Sequence, residues 1–306
     1  MDDFDLDDLL DSIDEDIRTE LSCKPEVIDK GHSLNISELP IEARRWHKVT
    51  DAVAVVADLK SSTQLGLNKH AASTASIYEA TTGNVVDVLD VFAADFVAIQ
   101  GDGAFGLFWG ANRLARGVCA GITLKTFSER HLVPRLEAKW PDSLPETGLK
   151  VGIANSALLV KRVGVPRTEH QEPVWAGKAV NYAAKCAQQA DKHEMIVTGS
   201  IWDWASENDY LAVSCECSVP NPSIWSDVTI EKLPEDQPDR EGKLLHTLWC
   251  KVHGADYCAN VLAGKKKRSD VRDERTNALQ VEMAKAIRWK AARERLNRRA
   301  RLRGLR

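Results

Sequence analysis

The chain's 306 residues suffice for one large domain with appendages or for two modest ones. With 43% hydrophobic and 28% charged residues, no apolar run of about 18 and an acidic N-terminus where a secretory signal would be basic, the composition excludes a disordered, fibrous, membrane-spanning or exported chain and predicts a cytoplasmic one. The seven cysteines include no C-x-x-C pair and His170, His193, His246 and His253 have no ligand spacing, which argues against both a disulfide framework and a zinc site.

The net charge of −4 conceals a polarity along the chain. Residues 1–20 carry ten acidic groups against one basic, and Phe4, Leu6, Leu9, Leu10, Ile13, Ile17 and Leu21 recur near helical spacing, so the acidic head predicts an amphipathic helix. Residues 31–40 read as linker. Trp46 and His47 precede the run Asp51-Ala52-Val53-Ala54-Val55-Val56-Ala57-Asp58, which suits a strand buried on both faces. Residues 71–92 read as helix. Residues 94–100 and 104–109 read as strands joined by Gly101-Asp102-Gly103, whose D-G pair signals a hairpin. A helix over 111–139, a strand over 149–163 with a turn near Asn155-Ser156, a helix over 176–190 and a buried strand over 195–198 follow. Residues 208–240 show no period, and 242–254 restore a strand. Residues 265–306 carry sixteen Lys/Arg against five Asp/Glu, with Leu279, Met283, Ala286, Ile287 and Trp289 on one side of a helix. The order predicts an α+β sheet with helices packed on one face. It divides the chain into an acidic helix and linker (1–45), a catalytic domain (46–260) and a basic helical tail (261–306).

Two carboxylates stand where chemistry is served. Asp58 closes the first strand and Asp102 sits in the hairpin turn; strands pair about 5 Å apart, so both can reach one hard cation. Taken alone, Asp58 reads equally as an N-cap for a helix starting at Ser61 or Ser62, and Asp102 as plain turn chemistry.

The segments Ala57-Asp58-Leu59-Lys60-Ser61-Ser62-Thr63, Gln100-Gly101-Asp102-Gly103-Ala104-Phe105-Gly106-Leu107-Phe108 and Trp175-Ala176-Gly177-Lys178-Ala179-Val180-Asn181-Tyr182-Ala183-Ala184-Lys185 resemble, in order and spacing, the three signatures of the class III nucleotidyl cyclases. The resemblance covers about residues 48–200 and implies a ferredoxin-like cyclase sheet. It implies that Asp58, Asp102 and the carbonyl of Leu59 hold two divalent ions, Mn2+ or Mg2+. Asn181 would hold the ribose, and Lys185 stands where the family has an arginine that stabilises the reacting phosphorus. Lysine supplies charge without the planar two-pronged grip of guanidinium. A late lysine, Lys232 or Lys243, would meet the triphosphate. The resemblance also implies a homodimer with shared active sites.

At the positions where family members read a purine, this chain has Ala98 and Val174, neither with a polar side chain. With Trp46-His47 and the segment around Asn181, the chain looks like the pyrimidine cyclases of the bacterial Pycsar anti-phage systems. That likeness implies conversion of UTP or CTP to cyclic UMP or cyclic CMP, which acts on a separate cyclic-nucleotide effector, with Trp175 or Tyr182 walling in the base. Alternatives are an adenylate or guanylate cyclase and a degenerate nucleotide-binding domain. The tail offers nucleic-acid binding, which no base-reading motif accompanies; docking on the chain's own acidic surface is the preferred reading.

Overall fold

Valine and alanine alternate along residues 52–55, and the two faces of the strand enter two different cores. Val53, Val55, Ala57 and Leu59 lie in one, and Ala52 and Ala54 in the other, so this strand is buried on both sides as its composition predicts. The computed structural model describes residues 5–39, 44–67, 69–165, 170–217 and 224–271, and beyond them 281, 284, 287–292, 294, 295 and 298. The strands are β1 (Glu26–Asp29), β2 (Arg45–Leu59), β3 (Phe96–Gln100), β4 (Gly103–Phe108), β5 (Leu149–Gly164), β6 (Gln171–Gly177), β7 (Met195–Val197), β8 (Trp225–Thr229) and β9 (Glu241–Leu245). They form one mixed sheet in the order β3-β4-β2-β5-β7-β9-β8, with β1 added to β2 and β6 to β5. The helices are α1 (Leu6–Ser22), α2 (Ser62–Leu65), α3 (Ala71–Tyr78), α4 (Asn84–Val91), α5 (Arg113–Phe127), α6 (Val133–Lys139), α7 (Lys178–Gln189), α8 (Gly199–Ala205), α9 (Asp209–Ala212) and α10 (Gly254–Leu262).

The chain is α+β as expected, with one difference in its layers. Helices α4 and α5 cover the face of Val53, Val55 and Ile153, while α7 covers the opposite face through Ala179, Tyr182, Ala183 and Cys186. Small residues on both partners allow this second layer. A Cβ on Gly152 would stand 2.0 Å from the carbonyl oxygen of Ala183 and 2.5 Å from the nitrogen of Ala187, so α7 lies directly on the backbone of β5.

Three boundaries depart from the sequence reading. Trp46 and His47 fall inside β2, whose first residues pair with β1 in the segment read as head and linker. β5 runs through Asn155-Ser156 without a turn. The side chains that suggested a break there are bonded across elements: Asn155 donates to Asp51 at 3.3 Å and accepts from Ser200 at 2.6 Å. Residues 208–240, which have no readable period, supply α9 and β8.

At the ends, α1 forms as its spacing predicts, yet none of its residues is buried. The start of the basic tail is docked. Lys266 pairs with Glu207 at 3.1 Å, Lys267 with the buried Asp209 at 3.2 Å, and Arg268 is buried, donating to the carbonyls of Asp209, Val213 and Ser214. Phe4 of the head and Leu279, Met283 and Ala286 of the tail lie outside the described residues.

Gly152→Ala should force α7 away from β5. An overpacked core of this kind costs about 1–3 kcal/mol, so the urea midpoint should fall by that equivalent; an unchanged midpoint would show that the close contact is not a constraint.

Candidate active site

The hairpin between β3 and β4 carries a two-residue loop. Gln100 pairs with Gly103, which leaves Gly101 and Asp102 at the turn, and Gly101 sits at φ +64°. Gly at the first central position is the type II′ arrangement, so the operative pair is Gly101-Asp102 and not the Asp102-Gly103 pair that signalled the hairpin. Gly103 begins β4, where a Cβ would lie 2.5 Å from the carbonyl oxygen of Ala57 and 3.2 Å from Cα of Asp58. The turn therefore backs onto the end of β2, and Asp102 comes beside Asp58.

Asp58 is not occupied as an N-cap, while Asp102 does sit in the turn. The N-cap of α2 is Ser61, at φ +60°, so Asp58 caps nothing. Asp58, with its side chain 36% exposed, pairs instead with Lys150 at 2.6 Å, its neighbour across the β2–β5 ladder. Asp102 forms no hydrogen bond or ion pair with a described residue. The Leu59 side chain is buried in the core, so its backbone carbonyl is what it can offer a cation. Lys150 was missed at the sequence level because only the β2–β5 register places it opposite Asp58.

On α7, burial of Ala179, Tyr182, Ala183 and Cys186 against the sheet turns Asn181 and Lys185, four residues apart, outward. Asn181 donates to the carbonyl of Gly177 at 3.1 Å, and Lys185 has no ion pair with a described residue. Gln188 continues this outer face and accepts from Lys232 Nζ at 2.9 Å, which sets a second cation beside Lys185. Lys243 is committed elsewhere. It is 6% exposed, paired with Asp227 at 2.7 Å, and its Nζ lies 4.9 Å from the Trp202 ring centroid.

The three candidate base contacts separate. Ala98 and Trp175 belong to one cluster, where the half-buried Trp175 packs 4.9 Å from Phe96 and 5.7 Å from Trp109. Val174 alternates to the other face of β6 and is 43% exposed. The Trp175 ring is thus held in a cluster of tilted aromatic rings, and Tyr182 is buried against the sheet with its hydroxyl donating to Gln237 at 3.1 Å.

No family model matches the chain. Its architecture is similar to that of the adenylyl cyclase CyaB from Pseudomonas aeruginosa, with a TM-score of 0.50 and 12% identity over 65% of this chain and 93% of that one. A class III adenylyl cyclase-like ATP-binding protein from the same species superposes with a TM-score of 0.51 and 15% identity over 90% of this chain and 52% of that one. The fold is that of the class III nucleotidyl cyclases. Among curated relatives, a uridylate cyclase of Micromonospora echinofusca is 70% identical over the whole of both chains, and one of Propioniciclava tarda is 45% identical over 97% of each. A third, from Burkholderia cepacia, is 24% identical over 68% of this chain and 88% of its own. The chain belongs to the uridylate cyclase family.

Asp58→Ala and Asp102→Ala should each lower cyclisation about a hundredfold or more, since a metal contributes several kcal/mol to the transition state and each 1.4 kcal/mol is tenfold. Both variants should melt as the parent does. Activity within a few-fold of the parent in either would remove the carboxylates from the site.

Proposed function

We propose that the chain converts UTP to 3′,5′-cyclic UMP and pyrophosphate, at sites each completed by two copies of the chain. The observation that carries this reading is the meeting of Asp58 with the Asp102 turn at the end of β2, while Asn181 and Lys185 project from the outer face of α7. Both close relatives bear the name uridylate cyclase, which favours UTP over CTP.

The donor set fits a hard divalent cation. Asp58, Asp102 and a backbone carbonyl offer oxygen only, which suits Mg2+ or Mn2+ and not a thiophilic metal. When bound, such ions supply positive charge that acidifies the ribose 3′-hydroxyl and draws electrons from the α-phosphate. The chain's own groups position the substrate. The Asn181 amide orients the ribose. Lys185 and Lys232 place two cations against the triphosphate, stabilising charge as the 3′-oxygen attacks phosphorus and the bond to pyrophosphate breaks. The proton of the 3′-hydroxyl leaves to solvent.

Because Asn181 and Lys185 face away from the sheet that carries Asp58, one copy presents the carboxylates and another the α7 face, which is the reason for a homodimer. Base choice follows from what the pocket lacks. Ala98, which packs in the cluster of Trp175, brings no side-chain donor or acceptor, so a purine beside it would leave edge groups unpaired. No helix among the described residues is long and apolar enough to cross a membrane. A cytoplasmic second messenger acting on a separate effector in anti-phage defence completes the proposal, as the Pycsar resemblance implies.

Each unpaired polar group costs about 1–3 kcal/mol, so with Mn2+ the kcat/KM for UTP should exceed those for ATP and GTP by about a hundredfold or more, with CTP also below UTP. Products identified by mass should be cyclic UMP and pyrophosphate. A purine preference would overturn the base assignment, and absence of any cyclic product would overturn the activity.

A further inference from the structure

On the segments that follow β7, four soft ligands converge. Cys215 and Cys217 follow α9; Cys250 and His253 lie between β9 and α10. The Sγ atoms of the three cysteines and Nδ1 of His253 all lie within 4.8 Å of one another. Cys215 Sγ is 3.1 Å and Cys217 Sγ 3.4 Å from His253 Nδ1, across 38 and 36 positions of sequence. We propose that Cys215, Cys217, Cys250 and His253 bind one structural zinc ion in a closed tetrahedral Cys3His site. The sequence reading argued against zinc because it sought C-x-x-C; the site here is assembled from C-x-C and C-x-x-H, brought together only by the fold.

The distances suit that ion. With Zn–S at about 2.3 Å and Zn–N at about 2.0–2.1 Å, the edges of a tetrahedron are about 3.6–3.8 Å, so the four atoms need shift only slightly to close on zinc. Thiolate and imidazole select zinc over the hard ions suited to Asp58 and Asp102, which keeps the two metal sites chemically distinct.

The surroundings are those of ligands held for a metal. His253 turns Nδ1 inward, while its Nε2 lies 3.8 Å from Glu216, the carboxylate partner that orients a ligating imidazole. The Val252 N–H donates to Cys250 Sγ at 3.4 Å, and the Tyr257 hydroxyl donates to Cys215 Sγ at 3.7 Å. Tyr257 stacks on the His253 ring at 5.8 Å and lies under Arg268, which also grips the carbonyl of Ser214 next to Cys215. A zinc with three thiolates carries net negative charge, and this buried guanidinium is placed to offset it.

The ion would pin the segment after α9 to the start of α10. In a region where the sequence shows no strong periodicity, binding energy for the metal is folding energy.

The test uses the full chain, purified with a reductant and without chelator. Elemental analysis should find one zinc per chain, released by a thiol-blocking mercurial. Cobalt substituted for zinc should give the intense visible absorption of a tetrahedral thiolate site. Cys217→Ser, at an exposed position, should remain folded and bind zinc about tenfold more weakly or worse, whereas Cys23→Ser should keep the full zinc content. Glu216→Gln should weaken zinc in the same direction by a smaller factor. The proposal is overturned if the parent protein carries no zinc and gives no tetrahedral cobalt spectrum. It is equally overturned if Cys217→Ser retains zinc as the parent does, or if mass analysis finds a disulfide among the three cysteines.

Discussion

The absence of a side chain at Gly103 lets β4 approach β2 until its first residue nearly touches the Ala57 carbonyl, and everything the site does depends on that approach. The ladder from Val53–Phe108 to Ala57–Ala104 delivers the hairpin to the end of β2 in one register. A slip of one residue would turn Asp58 to the opposite face, into the core of Leu59 and Leu65. The Gly101 turn, at a φ other residues resist, then presents Asp102 outward from the same corner. Lys150, across the β2–β5 ladder, pairs with Asp58 at the same corner.

A second glycine, Gly152, governs the other half. By letting α7 lie on β5 it fixes which side of the helix is buried, and hence that Asn181 and Lys185 point away from the sheet. The two halves are therefore built apart, one at the end of β2 and the other on the outer face of α7, and under the proposed function a second chain brings them together. The third device, the cysteine and histidine cluster, lies on the segments added after β7 and takes no part in either half.

How much was readable from sequence alone follows from how local each signal is. The Val-Ala run of β2, the hairpin glycines and the spacing of Asn181 and Lys185 are contained within a few residues, and all three led to the right elements. Lys150, the burial of Lys243 against Trp202, and the separation of Val174 from Trp175 depend on register or on tertiary packing, which no window of sequence contains. Likewise Asn155 and Ser156 look like turn residues until Asp51 and Ser200 are seen to satisfy Asn155 and the Ala179 N–H to donate to the Ser156 hydroxyl. Cys215 and His253 are too far apart in sequence for a motif to join them.

The central claim, that each active site draws Asp58 and Asp102 from one chain and Asn181 and Lys185 from another, is tested most directly by mixing two inactive variants. Asp102→Ala subunits combined with Asn181→Ala subunits form heterodimers in which one site carries both lesions and the other carries none. After subunit exchange, verified with differently tagged chains, the account predicts that cyclase activity returns to about a quarter of the parent value, since half the dimers are mixed and each has one intact site of two. Mixed dimers that remain as inactive as either variant alone would contradict it.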